Sequence, residues 1–119
     1  MNPETPIQQR IRLEAGGRNG ARLFRNNVGV AEFPDGTKVV YGLTPGSSDL
    51  IGWRTITITA DMVGTQVARF VAIEVKSPGA KTGRKRLELQ KNFIAAVRRA
   101  GGLAGFATSS QEASEILNG

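Results

Sequence analysis

The chain has 119 residues, of which 39% are hydrophobic and 22% charged, and these fractions favour a folded domain over a disordered segment. It contains neither cysteine nor histidine, which excludes disulfides, thiolate chemistry, Ser-His triads and ordinary zinc catalysis. Sixteen Lys and Arg residues against ten Asp and Glu residues leave a formal charge of +6, which favours a nucleic-acid partner.

Nothing in the sequence indicates a membrane segment or a targeting signal. No apolar run approaches the roughly 18–20 residues that a membrane span needs, and the N-terminus lacks the pattern of a signal peptide. We therefore expect a cytoplasmic protein without membrane contact. Because no repeat or linker interrupts the chain, we also expect residues 1–119 to form a single domain.

The first predicted element is a helix through residues 7–13 that ends at Gly16-Gly17. Its start is open. Thr5-Pro6 begins a capping pattern with proline at the first helical position, while Asn2-Pro3 offers a start one turn earlier. The choice decides whether Glu4 lies just outside the helix or within its first turn.

Strands dominate the middle of the chain. Extended runs at residues 21–33 and 38–41 flank the turn signal Pro34-Asp35-Gly36, which predicts a hairpin. Two further strands are predicted over 50–59 and 66–76.

The C-terminal part of the chain alternates helix and strand. A helix is predicted from about Arg84 to Arg99, then a short buried strand over 103–107 and a final helix over 110–117. The predicted order is α-β-β-β-β-α-β-α. The strand-helix-strand unit suggests a parallel crossover and the hairpin adds antiparallel strands, so we predict an α/β fold with a mixed sheet flanked by helices.

The strand over 66–76 ends in Glu74 and Lys76, which share one face because side chains alternate along a strand. Both faces of the strand are apolar before these charges, which is typical of a central, covered strand. A charge there is costly unless it is paired, hydrogen-bonded or bound to a metal. A plain Glu–Lys pair at a frayed strand end is the alternative.

Gln90 and Asp49 are the other polar candidates, and each also has an ordinary structural explanation. Gln90 lies in the middle of the apolar face of the helix that follows this strand, where a core amide bonded to backbone is the alternative. Asp49 follows the flexible stretch Gly46-Ser47-Ser48 and precedes a strand, a position also typical of turn residues.

Together these residues predict a metal site for hydrolysis. If the two strands are adjacent, Asp49 and Glu74 lie close enough to need a cation between them, and the carbonyl of Val75 could supply another oxygen. Oxygen ligands without histidine or cysteine select Mg²⁺ or Mn²⁺. Lys76 beside such an ion could orient the attacking water and neutralise a phosphate oxygen, which suits hydrolysis of a phosphodiester.

Several basic residues could hold a nucleic-acid backbone, with salt-dependent affinity and little reading of bases. A solvated helix start is the alternative explanation for those near residue 84. The candidates are Arg22, Arg25, Lys81, Arg84, Lys85 and Arg86.

Four sequence blocks in this order resemble the VRR-NUC family, a branch of the PD-(D/E)xK nuclease superfamily. They are GSSDLIG from Gly46, Ile73-Glu74-Val75-Lys76, Gln90, and VRRAGG from Val97. The stretch LFRNNVG from Leu23 is also similar to an early strand of the family. The resemblance extends from about Glu4 to about Glu115.

The resemblance implies a restriction-endonuclease-like fold and metal-dependent cleavage of DNA. It implies that Asp49 and Glu74 bind the metal, that Lys76 is the catalytic lysine and that Gln90 supports it. Family members also carry a glutamate on the first helix, for which Glu4 is the better match and Glu14 the rival.

The chain resembles short phage and bacterial members that consist of this domain alone, and the resemblance implies a homodimer that acts on branched DNA such as four-way junctions. A phage-encoded member would act in the host cytoplasm. A branched-DNA-binding module that keeps the fold without cleaving, or that needs a partner to cleave, is the alternative function.

Overall fold

The computed structural model describes residues 4–119, which divide into two compact units. The first unit extends to Ile56 and the second is Thr57–Gly119. No helix in the described part of the chain combines the length and the apolar character needed to cross a lipid bilayer. The expectation of a single domain over residues 1–119 stays a prediction.

The described part of the first unit contains one helix and four short strands. They are α1 (Glu4–Glu14), β1 (Ala21–Arg25), β2 (Gly29–Glu32), β3 (Lys38–Tyr41) and β4 (Leu50–Arg54). β1 pairs antiparallel with β4, and α1 packs against β1. β2 and β3 form the predicted hairpin, in which Glu32 pairs with Lys38 across the turn.

The second unit is a parallel crossover followed by a helix. After a 3₁₀ turn (Ala60–Met62), it contains β5 (Val71–Val75), α2 (Arg84–Arg99), β6 (Leu103–Ala107) and α3 (Ser110–Asn118). β5 and β6 pair in parallel, with Glu74 opposite Phe106. α2 connects them, as parallel strands require a long connection.

The buried core of the described residues lies in this second unit. Its hydrophobic members are Ile94 and Val97 from α2 and Ala104 and Ala107 from β6, with Val97 completely buried. Both α2 and α3 pack against β6. Because alanine side chains are small, the helices can approach this strand closely.

Two glycines end α2 and begin β6. Gly101 adopts a φ of +101°, and its amide donates to the carbonyl of Arg98, while the amide of Gly102 donates to the carbonyl of Val97. This is the hydrogen-bond pattern of a Schellman motif. A Cβ at Gly102 would lie 2.7 Å from both the carbonyl oxygen of Phe70 and a methyl group of Val97. The turn therefore brings β6 directly beside the segment that leads into β5.

The predicted α/β class is confirmed, and α2, β6 and β3 have the predicted bounds. The order differs by one strand, because residues 21–33 form β1 and β2 rather than one extended run. The parallel and antiparallel pairs lie in three separate two-stranded sheets, not in one mixed sheet. Among residues 4–119, β5 pairs with β6 alone, and Val75 is 73% exposed, so this strand is not covered on both faces as expected.

The described part of α1 begins at Glu4, which lies in the first turn of the helix. Thr5-Pro6 is therefore inside the helix and does not cap it. The competing start at Asn2-Pro3 lies outside the described residues.

Candidate active site

Lys76 is held in place by two side chains of its own unit. Its Nζ donates to Oγ1 of Thr82 at 2.6 Å and to Oε1 of Gln90 at 2.7 Å. Its Nζ also lies 5.7 Å from the centre of the Phe106 ring. Lys76, Thr82 and Gln90 are all half-buried. The predicted proximity of Lys76 and Gln90 is thus present in the structure.

The secondary structure explains this arrangement. The amide of Lys76 donates to the carbonyl of Ala107 at 2.9 Å, so the β5–β6 ladder extends one residue beyond β5 and fixes the lysine backbone. Gln90 lies near the middle of α2, which packs on both strands. The side-chain oxygen of Gln90 therefore accepts a hydrogen bond from the lysine. The alternative explanation was a hydrogen bond between this amide and nearby backbone.

Glu74 precedes Lys76 by two residues, and its side-chain carboxylate has no hydrogen bond or ion pair with any residue among 4–119. It is half-buried and borders a cavity of about 380 Å³ that Gln90 and Arg86 also line. The remaining lining is largely apolar, from Ala72 and Ile73 of the strand and from α2. The simple Glu74–Lys76 pair is not formed. A carboxylate without a partner in such a setting suits an added cation.

Asp49 belongs to the first unit, where it is exposed directly before β4. The loop before it is tied down by Asn26, whose Nδ2 donates to Oγ of Ser47 at 2.7 Å and to the carbonyl of Ser48 at 2.9 Å. The Asn26 backbone amide also donates to the carbonyl of Asp49 at 2.8 Å. The glycine- and serine-rich stretch is therefore anchored directly before the aspartate.

Asp49 and Glu74 thus come from different units, and their shared metal site stays a prediction. Glu4 is exposed in the first turn of α1, also in the first unit. Nothing in the structure tests its predicted role or that of its rival Glu14.

The six predicted DNA-binding residues are all exposed and occupy two places. Arg22 and Arg25 lie on β1, where a spacing of three places them on opposite faces. The Arg22 guanidinium lies over the rings of Phe24 and Trp53, at 5.3 and 5.7 Å from their centres. The other four surround the start of α2: Lys81, Arg84, Lys85 and Arg86.

Sequence reasoning did not foresee the contact of Thr82 with Lys76 or those of Asn26 with Ser47 and Ser48. Thr82 lies in a glycine-rich loop, where a threonine is ordinarily interpreted as a turn residue. Asn26 precedes a glycine-containing strand, where an asparagine is ordinarily interpreted as a bulge residue or a phosphate contact. The hydroxyl and the amide are common loop chemistry, so no signal in a single sequence separates them from their neighbours.

A family model described as the VRR-NUC domain matches residues 33–111, roughly two thirds of the chain. The matched range includes Asp49, Glu74, Lys76 and Gln90, while Glu4 and the two arginines of β1 precede it. No curated protein and no solved structure gives a significant match.

Proposed function

The chain belongs to the VRR-NUC domain family, and from that premise we propose that its nuclease-type domain is a Mg²⁺- or Mn²⁺-dependent endonuclease for branched DNA. The proposed substrate is a four-way junction, and the proposed active form is a homodimer. A two-fold dimer would present two sites, which suits paired cuts on a junction of the same symmetry.

The observation that carries the proposal is the Lys76 ammonium, held between Thr82 and Gln90 beside the unpartnered carboxylate of Glu74. A fixed cation at this place can bind a phosphate oxygen and stabilise the charge that develops on it during hydrolysis. The lysine can also orient the attacking water. Because both acceptors already hold the Lys76 ammonium in place, its positive charge can act on the phosphate without a rearrangement of the side chain.

The donor set fits a hard divalent cation. Glu74 offers a carboxylate at the edge of a cavity, and the next residue, Val75, offers a backbone carbonyl. In the proposal Asp49 supplies the second carboxylate. When bound, the metal would make hydroxide accessible near neutral pH and stabilise negative charge on the phosphate. Oxygen donors alone favour Mg²⁺ or Mn²⁺ over zinc.

Cleavage of labelled four-way junctions in the presence of Mn²⁺ tests the proposal. Asp49→Ala and Lys76→Ala should each lower the cleavage rate by about 100-fold or more, as expected for loss of a group that acts in the chemical step. Junction binding should survive in both variants. Glu88→Ala and Lys91→Ala remove exposed charges from α2 and serve as matched controls.

If the wild-type protein binds junctions but cuts no branched or linear DNA, the endonuclease proposal is wrong and the binding-module alternative is supported. Manganese binding gives an independent readout by calorimetry. Asp49→Asn and Glu74→Gln should each weaken it if both carboxylates hold the same ion. Unchanged binding in either variant would remove that carboxylate from the metal site.

A further inference from the structure

The loop between β5 and α2 directs one hydroxyl at the predicted catalytic lysine. Oγ1 of Thr82 lies 2.6 Å from Nζ of Lys76, as close as the Gln90 oxygen on its helix. Thr82 is half-buried, whereas its neighbours Lys81 and Gly83 are exposed. Within an otherwise exposed loop, the side chain that turns inward is thus the one that meets the lysine.

The loop geometry delivers Thr82 to this place. The amide of Ala80 donates to the carbonyl of Ser77 at 3.0 Å, and Gly79 adopts a φ of +78°. This tight turn reverses the chain directly after β5, so residue 82 returns toward the end of the strand. Gly83 then caps α2 without any side-chain bond.

The Thr82 hydroxyl therefore does not cap the helix. Threonine near a helix start commonly accepts hydrogen bonds from the first backbone amides. Here Thr82 stands one residue before the cap, and its oxygen accepts from Lys76 instead. A capping role would account for a threonine in this loop, but it would not account for this contact.

We propose that Thr82 is a positioning residue that, together with Gln90, fixes the Lys76 ammonium for its contact with the scissile phosphate. An ammonium has three N–H donors. Two are directed at acceptors from different parts of the unit, which leaves the third for a substrate oxygen. The catalytic consequence rests on the proposed nuclease function, whereas the fixing of the ammonium does not.

The test uses Thr82→Val, which keeps the shape of the side chain and removes the acceptor, and Thr82→Ser, which keeps the hydroxyl. We expect Thr82→Val to lower kcat for junction cleavage by about 10-fold with little change in KM, because positioning acts on the chemical step. Thr82→Ser should recover most of the loss. Ser77→Ala, which removes an exposed hydroxyl from the same loop, should cleave like the wild type.

A second measurement, NMR of the Lys76 side chain, does not depend on DNA cleavage. The NMR signals of the Lys76 side chain, assigned with Lys76→Arg, should shift in Thr82→Val, and hydrogen exchange of the ammonium should accelerate. Thr82→Ser should resemble the wild type in both respects. Thermal unfolding of each variant separates these local effects from a loss of fold.

Unchanged Lys76 signals in a folded Thr82→Val protein would overturn the positioning proposal, as would a kcat loss that Thr82→Ser fails to recover. A wild-type protein that cuts no DNA, combined with Lys76 signals that shift in Thr82→Val, has a different meaning. That result supports the fixing of Lys76 by Thr82 and contradicts the nuclease function alone.

Discussion

Adjacent residues of the VRR motif at the end of α2 have different structural roles. In the stretch Val97-Arg98-Arg99, Val97 is completely buried, whereas both arginines are exposed. Nε of Arg98 donates to the carbonyl of Ala104 at 2.9 Å and so links α2 to β6. Two of the three residues therefore support the fold that places Gln90 against Lys76.

Glu112 is the residue with the clearest electrostatic role in α3. It accepts hydrogen bonds from the Thr108 hydroxyl and from the Thr108 backbone amide, and these two interactions lower the pKa of the Glu112 carboxyl below its ordinary value of 4.5. Ser109 in turn accepts from the Glu112 amide at 3.1 Å and so caps the start of α3.

The lowered pKa predicts the direction of an acid effect on stability. A carboxyl with a depressed pKa in the folded state stabilises the protein above its unfolded pKa, and this contribution disappears as the pH falls through the folded pKa. We therefore expect the free energy of unfolding of the wild-type protein, measured with urea from neutral pH to below 4.5, to fall partly because this carboxyl becomes protonated. Glu112→Gln should show a smaller acid loss, and an equal loss would contradict the assignment.

At the scale of elements, strand length is limited by the partner strand. The sequence predicts β4 over 50–59, but the strand ends at Arg54, because its partner β1 begins at Ala21; beyond the strand the Thr55 amide donates to the carbonyl of Gly20. The sequence likewise predicts β5 over 66–76, but the strand begins at Val71. Its partner β6 starts only after the glycine turn that ends α2, and the amide of Leu103, its first residue, already donates to Phe70, so β6 does not extend beside residues 66–69.

The close pairing of β1 and β4 predicts a strong effect at Gly52. A Cβ there would overlap the carbonyl oxygen of Arg22 on the neighbouring strand. We expect Gly52→Ala to destabilise the protein by about 3 kcal/mol, since a backbone atom cannot move aside without breaking the ladder. Urea unfolding measures the change.

Gly83→Ala is the matched control, because no atom other than those of its chain neighbours lies within 4 Å of a Cβ added there and the backbone φ is −55°. Because alanine caps a helix less well than glycine, it should cost no more than about 1 kcal/mol. Similar losses in the two variants would show that steric overlap in the β1–β4 pair is not the cause.

At the scale of the whole molecule, the formal charge of +6 is unevenly spread along the chain. Four basic residues fall within six positions around the start of α2: Lys81, Arg84, Lys85 and Arg86. The first turn of this helix has no acidic residue, so the cluster opposes the helix dipole. Such an arrangement costs stability and favours a role in binding an anionic partner.

This cluster predicts where DNA affinity and its salt dependence originate. Arg84→Gln combined with Lys85→Gln should weaken junction binding and reduce the slope of log K against log[salt] by about one for each phosphate that the protein no longer neutralises. Lys91→Gln combined with Arg99→Gln removes the same charge from exposed positions further along α2. Titrations at several salt concentrations compare the two proteins, and equal slopes would contradict a specific role for the cluster.

Much of the fold could be predicted from the sequence, because many of its elements are specified by patterns of neighbouring residues. The apolar spacing of α2, the short apolar run of β6 and the turn of the β2–β3 hairpin are properties of neighbouring residues, and all three elements form as predicted. The proximity of Lys76 and Gln90 could be predicted for the same reason, since it depends on their positions along one strand and the helix that follows it, whereas the catalytic roles of Glu74, Lys76 and Gln90 stay predictions.

Tertiary structure alone decided the contacts between segments that are separate in sequence. The bonds from Thr82 to Lys76 and from Asn26 to Ser47 depend on how each loop folds back, which side-chain chemistry does not specify. The ends of β4 and β5 were likewise set by their partners, not by their own composition. A hydrogen bond needs both of its groups within about 3 Å, so the residue at one end cannot by itself reveal the other.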